Sequence, residues 1–309
     1  MQQMQNLMKI EIEEAYDDIR IDKVLAAYLT ELSRTYIQKL LEGGNVTLAG
    51  KTLKANFKVS AGQEIEVLLP EPETLKVEPE NIPLDIIYED SDVIVVNKPK
   101  NLVVHPAAGH YSGTLVNALL YHCKDSLSGI NGIMRPGIVH RIDKDTTGAL
   151  VVCKNDIAHQ CLTEQLKEHS ITRKYEAIVY NCFKETEGRV EGPIGRHPSE
   201  RTKMAINYKN GKEAITNYRV LENLGNGYAH VECRLETGRT HQIRVHMSSI
   251  HHPLVGDTIY GPAKDSFGLE GQSLHARVLG FIHPTTKEYM EFEAPIPEYF
   301  TKLLQKLRR

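Results

Sequence analysis

The first part of the chain carries short apolar stripes whose spacing predicts two helices followed by a small sheet. Apolar residues within 21–29 follow the i, i+3, i+4, i+7 spacing of an amphipathic helix. Ser33 is a candidate N-cap for a second helix, and Gly43-Gly44 supply its left-handed stop. Residues 46–48 and 64–68 have the short or alternating apolar patterns of strands. The pattern therefore predicts a small α/β domain.

A stretch rich in proline and glutamate separates this domain from the rest of the chain. It begins at residue 70, reads PEPETLKVEPENIP and shows no apolar periodicity, which is typical of a semi-stiff, solvated linker. A length of 309 residues also favours two domains. We therefore predict a tail over 1–14, a small domain over 15–70, a linker over 71–83 and a large domain over 84–309.

Beyond the linker, strand-like and helix-like segments follow each other without a strict βαβ rhythm. The strand-like segments are 93–97, 149–153, 175–180 and 230–235, and the helical ones are 115–122, 157–169 and the turns from residue 298. This irregular alternation predicts an α+β fold around a mixed sheet.

Composition excludes some classes of protein and leaves others open. The chain is 41% hydrophobic and 25% charged, with a net charge of -3, which argues against a disordered or collagenous protein. A near-neutral protein can still bind RNA through a local basic patch. The N-terminus lacks the features of a signal peptide, and no apolar run approaches the roughly 18 residues of a membrane span. We expect a cytoplasmic protein that does not bind a membrane, with reduced cysteines.

The densest run of reactive side chains is GIVHRIDKDTTG over residues 137–148, directly before the apolar segment 149–153. A polar loop that leads into a buried strand is a common position for catalytic groups. The alternative is a solvated turn whose Asp and Thr side chains bind nearby backbone groups.

This run resembles the catalytic motif of the RluA-type pseudouridine synthases, an H-R-[LI]-D core followed by D-T-[ST]-G. Other segments resemble further motifs of that family, in family order. They are Tyr88 to His105-Pro106, Arg173-Lys174-Tyr175, Glu236 to His246, and His252 to Gly261. The resemblance implies a catalytic domain around a mixed, largely antiparallel sheet, and no catalytic position departs from the family pattern.

The N-terminal segment resembles the S4 RNA-binding module. The similarity rests on Arg20-Ile21-Asp22, Ser33-Arg34, Gln38, Gly44-Asn45-Val46 and Lys51. It implies RNA contacts by Arg20, Ser33, Arg34 and Lys51. The positive charge here is small, because residues 17–62 hold seven Lys and Arg against five acidic residues. A helical docking module without RNA contact is the alternative.

The combination of an S4 module with this catalytic domain is similar to RluD-type synthases of large-subunit (23S) ribosomal RNA. The implied reaction breaks the bond from ribose C1′ to uracil N1, turns the base and joins C1′ to C5. Because nothing is oxidised, reduced or hydrolysed, we expect neither a cofactor nor a metal. The absence of G-x-G-x-x-G, P-loop and H-E-x-x-H motifs agrees with this. We expect a monomer whose partner is 23S ribosomal RNA or a ribosome precursor.

Asp143 is the carboxylate that the resemblance makes catalytic. It could attack C1′, attack C6 or assist loss of the C2′ proton, and the sequence does not choose among these routes. A dry pocket would raise its pKa unless a cation compensates. The resemblance pairs it with Arg244, whose planar fork we expect to hold both carboxylate oxygens. Asp145 is the alternative carboxylate, although a turn or cap role is more ordinary for it.

Other residues receive their roles from the same resemblance. Tyr175 should lie against the target uracil, with core packing as its alternative. Arg141 matches an arginine that enters the RNA helix as the uridine flips out. We expect His140 to shape the loop, and His241 and His246 to form structural hydrogen bonds. Two rival functions remain: the same chemistry on transfer RNA, and a non-catalytic RNA-binding or ribosome-assembly protein.

Overall fold

In a computed structural model of the protein, the described residues are 6–30, 32–69, 77–107, 110–124, 126–132, 135–200, 202–262 and 267–308. The chain divides into two compact units, Met1–Leu75 and Lys76–Arg309. Each unit has its own hydrophobic core.

The N-terminal unit packs two helices with a four-stranded antiparallel sheet of order β1-β4-β2-β3. Its elements are β1 (Asn6–Glu11), α1 (Ile21–Tyr28), α2 (Arg34–Glu42), β2 (Val46–Leu48), β3 (Lys51–Thr52) and β4 (Glu64–Leu69). A short 3-10 helix covers Glu14–Tyr16. The Ser33 hydroxyl accepts a hydrogen bond from the Tyr36 N–H at 3.2 Å and so caps α2, as predicted.

The predicted N-terminal tail is wrong for residues 6–11, because they form the edge strand β1. This strand pairs with β4 in a register that runs from Asn6↔Leu69 to Glu11↔Glu64. Ile10 and Ile12 are buried in the core of the unit. Alternate apolar residues at 8, 10 and 12 give the period of two that a half-buried strand requires. Residues 1–5 lie outside the described residues.

The C-terminal unit is built around a sheet to which nine strands of the described residues contribute. Its order is β5-β6-β7-β14-β8-β13-β12-β9, and β15 also pairs with β14. The strands are β5 (Ile86–Glu89), β6 (Val93–Lys98), β7 (Thr147–Cys153), β8 (Thr172–Tyr180), β9 (Glu187–Glu191), β10 (Ile194–Arg196), β11 (Met204–Ile206), β12 (Ile215–Leu224), β13 (Tyr228–Leu235), β14 (Leu274–Ile282) and β15 (Tyr289–Glu293). Strands β10 and β11 form a separate antiparallel pair.

The helices of this unit are α3 (Leu115–Cys123), α4 (Asp156–Lys167), α5 (Gln242–Ser249) and α6 (Glu298–Leu307), and a 3-10 helix covers Gly225–Gly227. Among the described strands of the large sheet, β7 and β14 pair in parallel, while the other pairs are antiparallel. The predicted α+β fold around a mixed, largely antiparallel sheet is therefore confirmed.

Strands β6 and β7 are covered on both faces, which explains their unbroken apolar sequences. Alternate residues of the two strands pack with α3 and α5 in one core and with α4 in a second core. All seven residues of β7 are buried. The central sheet therefore gives a rigid base for the loop over residues 137–146 that precedes β7.

Gly148 allows the close parallel approach of β7 to β14. Its φ is 111°, and a Cβ at this position would lie 2.2 Å from the Ala276 carbonyl oxygen. Because neither this φ nor this distance suits another residue, the final glycine of the D-T-T-G segment has a structural reason.

The described part of the predicted linker, residues 77–83, contacts the C-terminal unit, although four of its seven side chains are exposed. Val77 is buried in the core, the Asn117 amide donates to the Glu78 carbonyl at 2.8 Å, and the Glu80 N–H donates to the Asn117 carbonyl at 2.9 Å. Residues 70–76 of the predicted linker lie outside the described residues. In the described ranges no helix is long and apolar enough to cross a membrane.

Candidate active site

A cavity of about 360 Å³ opens where the loop over 137–146 meets β8 and the first turn of α5. Its volume lies in the lower part of the range for small-molecule sites. Asp143, Tyr175, Arg244 and Arg141 all line it. The structure thus brings together the four residues of this unit that the sequence predicted as site residues. Asp145, the alternative carboxylate, does not line the cavity.

Asp143 and Arg244 are in direct contact. The Arg244 Nη1 group donates to Asp143 Oδ2 at 3.0 Å, and the two side chains are 6% and 18% exposed respectively. This is one hydrogen bond, so the expectation that the guanidinium would hold both oxygens of Asp143 is wrong. The Arg244 guanidinium instead donates two hydrogen bonds to Asp257, from Nε to Oδ2 at 2.7 Å and from Nη2 to Oδ1 at 2.9 Å.

Asp257 is the residue that orients Arg244, a role that the sequence analysis did not predict. Its side chain is fully buried, and Oδ1 also accepts the N–H groups of Ile259 at 2.9 Å and Tyr260 at 3.1 Å. Burial by itself would lower the pKa of Arg244, but the carboxylates of Asp257 and Asp143 raise it well above the ordinary value. The site therefore contains a permanent cation in a fixed orientation.

Lys98 anchors the Asp143 loop to the end of β6. Its side chain is 1% exposed, and its ammonium donates three hydrogen bonds of 2.8 Å to the carbonyl oxygens of Pro99, Leu102 and Lys144. Burial lowers the pKa of Lys98 to about 7, while the Asp145 and Asp143 carboxylates favour its charged form. Because Lys144 follows Asp143 directly, this contact limits the movement of the backbone next to Asp143.

His140 anchors the same loop to β7. Its Nε2 accepts a hydrogen bond from the Val151 N–H at 3.1 Å. Burial lowers the pKa of His140 to about 3, so the ring is neutral and able to accept this bond at neutral pH. The backbone contact agrees with the loop-shaping role expected for this residue.

Tyr175 belongs both to the apolar core and to the cavity wall. It lies on β8, is 7% exposed and packs in the largest core cluster of the unit. Burial raises the pKa of Tyr175, with Arg173 opposing and Asp143 adding to that shift. The side chain therefore remains a neutral phenol at neutral pH, with core packing and access to the cavity combined in one ring.

His241 lies near Asp143, a position that the expected structural hydrogen bonding does not explain by itself. Its Nε2 is 3.9 Å from Asp143 Oδ2, and its Nδ1 is 2.9 Å from the Tyr260 hydroxyl. That hydroxyl also accepts the Met204 N–H at 2.8 Å. Burial lowers the pKa of His241, and Asp143 opposes this shift.

His246 has the structural hydrogen bonds expected for it. It is fully buried, with Nδ1 3.0 Å from the Thr216 hydroxyl and Nε2 3.0 Å from the Gly192 carbonyl oxygen. Arg141, in contrast, is exposed at the edge of the cavity, and its Nη1 is 3.4 Å from His105 Nε2.

The four predicted RNA-binding residues of the N-terminal unit differ in what they contact. Arg20 forms a two-point ion pair with Asp22 at 3.0 and 2.8 Å, and Ser33 uses its oxygen as the cap of α2. Arg34 and Lys51 are exposed, and neither forms an ion pair with any residue that the structure describes. RNA contact by these four residues stays a prediction.

Two groups of side chains outside the cavity have the composition of a metal site, judged on the described ranges. They are Glu89, His122 and Cys123, and Asp90, Asp92 and His283. In each group the histidine already lies 2.8 Å from a carboxylate oxygen. None of these residues lines the cavity.

Comparison with known proteins identifies relatives of both units. Residues 92–249 match the family described as RNA pseudouridylate synthase, and residues 19–65 match the S4 domain. An RNA pseudouridine synthase of Bacillus subtilis named YlyB, called uncharacterized, is 52% identical over 98% of this chain and 99% of its own length. Ribosomal large subunit pseudouridine synthase D of Zymomonas mobilis is 47% identical over 93% of both chains.

A solved structure is similar as well. Human RNA pseudouridylate synthase domain containing 1 aligns with a TM-score of 0.55 and 28% identity, over 77% of this chain and 98% of that one.

Proposed function

Because the chain belongs to the RNA pseudouridylate synthase family and is an RNA pseudouridine synthase with an S4 domain, we propose that it modifies large-subunit (23S) ribosomal RNA with Asp143 as its essential carboxylate. The observation that carries the catalytic part is the 3.0 Å contact between Arg244 and Asp143 inside a cavity that Tyr175 also lines.

The chemistry requires an ionised carboxylate beside the target nucleotide. Arg244 supplies the compensating positive charge, and its pair with Asp257 fixes the direction of the one N–H that reaches Asp143. A preoriented cation reduces the reorganisation needed when charge moves during the reaction. Attack at C1′, attack at C6 and assisted loss of the C2′ proton all use the same ionised Asp143.

The remaining site residues complete the proposal. Tyr175 offers its ring to the target uracil, and Arg141 at the cavity edge fills the space that the flipped uridine leaves in the RNA. Arg20, Ser33, Arg34 and Lys51 contribute RNA contacts from the S4 domain.

The ribosomal substrate is supported by relatives named ribosomal large subunit pseudouridine synthase D, of which two are 47% and 43% identical to this chain. The test is to map pseudouridines in total RNA from cells with and without the gene. We expect missing sites in large-subunit ribosomal RNA. Sites missing only from transfer RNA would contradict the substrate, and an unchanged map would contradict the function.

Complementation of the same cells tests the catalytic assignment. Asp143→Asn keeps the size of the side chain and removes its charge, so it should fold, bind RNA and restore no pseudouridine. Asp145→Asn is the matched control two residues away and should restore the sites. Release of tritium from RNA labelled at uridine C5 gives the rate in vitro. Activity of Asp143→Asn within tenfold of wild type would refute the assignment.

A further inference from the structure

Arg173 is a buried cation in the cavity wall whose positive charge has no acidic partner in the described part of the chain. It lies on β8, is 6% exposed and lines the same cavity as Asp143 and Tyr175. Its Nη2 donates to the backbone carbonyl of Glu236 at 3.2 Å, and its buried Nε has no hydrogen-bond partner. Arg244, the other buried arginine of the cavity, contacts two carboxylates.

This arrangement is unfavourable for the protein alone. Buried charges are normally paired, because the loss of hydration is otherwise uncompensated. Burial lowers the pKa of Arg173, Tyr175 opposes this shift, and the nearby positive charge of Arg239 adds to it. A residue that the fold holds in an unfavourable state in the wall of a cavity that Asp143 also lines points to a functional requirement.

Gly238, next to the Arg173 side chain, leaves space for the guanidinium. Gly238 also lines the cavity, and a Cβ at this position would lie 2.5 Å from Arg173 Nη1. A larger residue at 238 would therefore have to displace the guanidinium. The missing Cβ leaves room for the cation at the cavity wall.

The inference rests on the proposed function, because that reaction creates negative charge on the uracil. When the C1′–N1 bond breaks, its electron pair stays on N1 and the charge spreads to O2 and O4. At C1′ the lost bond is replaced by an ester bond to Asp143, or by a C1′–C2′ double bond as the C2′ proton leaves. If Asp143 adds to C6 instead, the electron pair of the C5–C6 bond moves toward O4.

The later steps remove this negative charge from the uracil ring. In the first two routes C5 bonds to C1′ as the ester bond or the double bond opens, and in the double-bond route C2′ takes back a proton. In the third route the C1′–N1 bond breaks and C1′ bonds to C5, and the bond from C6 to Asp143 breaks as the C5 proton leaves, so that the C5–C6 double bond forms again. The C5 proton then leaves and N1 takes up a proton. Each route therefore passes through a ring that carries more negative charge than uridine.

We propose that Arg173 binds the uracil of the target nucleotide and stabilises the negative charge that the ring acquires during the reaction. The cation lies in the same wall as Tyr175, two residues along β8, where the ring is expected to lie. Donors aimed at a developing negative charge in a water-poor site have large effects on rate. The substrate supplies the acidic partner that the protein lacks.

The test is Arg173→Met, which removes the cation and keeps an apolar side chain of similar length. Single-turnover rates are measured with enzyme in excess. The RNA carries either uridine or 5-fluorouridine at the target position, and the rate is followed as the loss of that nucleoside. Fluorine stabilises negative charge on the ring, so the cation should matter less for that substrate. We expect uridine to react about 100-fold more slowly, with a clearly smaller loss for 5-fluorouridine and partial recovery in Arg173→Lys.

Thermal unfolding separates this role from a structural one. Because Arg173→Met removes an unpaired buried charge, its Tm should equal or exceed that of wild type. Arg219→Met, at an exposed arginine that pairs with Glu232, is the matched control and should leave all rates unchanged. A lower Tm with an unchanged uridine rate would overturn the proposal.

A phosphate contact would give a different result. Equal rate losses for both bases, together with a salt-dependent loss of RNA affinity, would mean that Arg173 binds the backbone and would also overturn the proposal. Wild type and Asp143→Asn are measured in the same assay. If these two react alike, the proposed function fails, whereas a failure confined to the Arg173 variants overturns this inference alone.

Discussion

Arg244 reaches Asp143 through a single N–H group, Nη1, which lies 3.0 Å from Oδ2. Its other donors, Nε and Nη2, are both used by the buried carboxylate of Asp257. The direction in which the cation meets Asp143 is therefore set by a residue that follows α5 in the chain and that does not line the cavity. Catalysis should depend on Asp257 although it does not face the substrate.

The first prediction concerns Asp257→Asn. This variant leaves Arg244 without its two-point partner, and removing one member of a buried ion pair costs about 3–5 kcal/mol. We expect a lower Tm and a single-turnover rate that falls more than RNA affinity does. Asp85→Asn, at an exposed aspartate that contacts Asn97, is the control. A normal rate in Asp257→Asn would mean that Asp143 does not depend on the orientation of Arg244.

A second prediction separates charge from geometry at Arg244. A lysine ammonium is one point charge, so Arg244→Lys cannot hold both oxygens of Asp257 and also reach Asp143. The single-turnover rate at saturating RNA should therefore fall more than affinity, with affinity measured across salt concentrations. A near-wild-type rate combined with a clear loss of affinity would move Arg244 out of the catalytic group. Arg219→Lys provides the matched exposed substitution.

The sequence predicted the features that follow from local residue patterns or from family motifs. Strands such as β6 and β7 and the cap of α2 follow from periodicity and residue type, and the motifs brought Asp143 and Arg244 together although they are 101 residues apart. Strand β1 could have been predicted too, since residues 8, 10 and 12 alternate.

The pairing of Arg244 with Asp257 could not be predicted, because it depends on how two loops and a helix meet in the fold. Asp257 sits within a segment that resembles the family, yet nothing in that segment indicates which oxygen meets which nitrogen. Arg173 is the first residue of the segment Arg173-Lys174-Tyr175 that resembles a family motif, but the resemblance gave it no role. Only its burial without an acidic partner reveals its unusual state.

The third prediction is a pH dependence of stability from His140. The folded-state pKa is about 3, below the ordinary value of 6.5, so between these values the unfolded chain binds a proton that the folded chain does not. The contribution of His140 to the free energy of unfolding is thus fully present above pH 6.5 and is lost as the pH falls toward 3. His140→Gln retains an acceptor for the Val151 N–H and should show a shallower loss of Tm over pH 6.5 to 4. The exposed His110→Gln should follow the wild-type curve.

The fourth prediction concerns removal of Met1–Leu75. The two units have separate cores, and Val77 to Glu80 pack on the C-terminal unit, so the cut should precede residue 77. We expect a folded enzyme that binds structured RNA more weakly and has nearly the wild-type single-turnover rate at saturation. Unchanged kcat/KM on ribosomal RNA would contradict an RNA-binding role of the S4 domain.

The last prediction tests which cations of the S4 domain contact RNA. Arg34 and Lys51 are exposed and form no ion pair with the residues that the structure describes, whereas Lys9 is engaged by Glu64 at 2.6 Å and Glu66 at 3.4 Å. A free cation can bind a phosphate without first breaking a contact, so Arg34→Ala with Lys51→Ala should weaken RNA binding.

Each lost phosphate contact lowers the slope of log affinity against log salt by about 0.7–0.9. The double variant should therefore reduce that slope by about 1.5, while Lys9→Ala should leave it unchanged and the single-turnover rate at saturation should not fall in either. Equal slopes in wild type and the double variant would mean that Arg34 and Lys51 do not meet the RNA backbone, and RNA contact would then have to come from other residues of the chain.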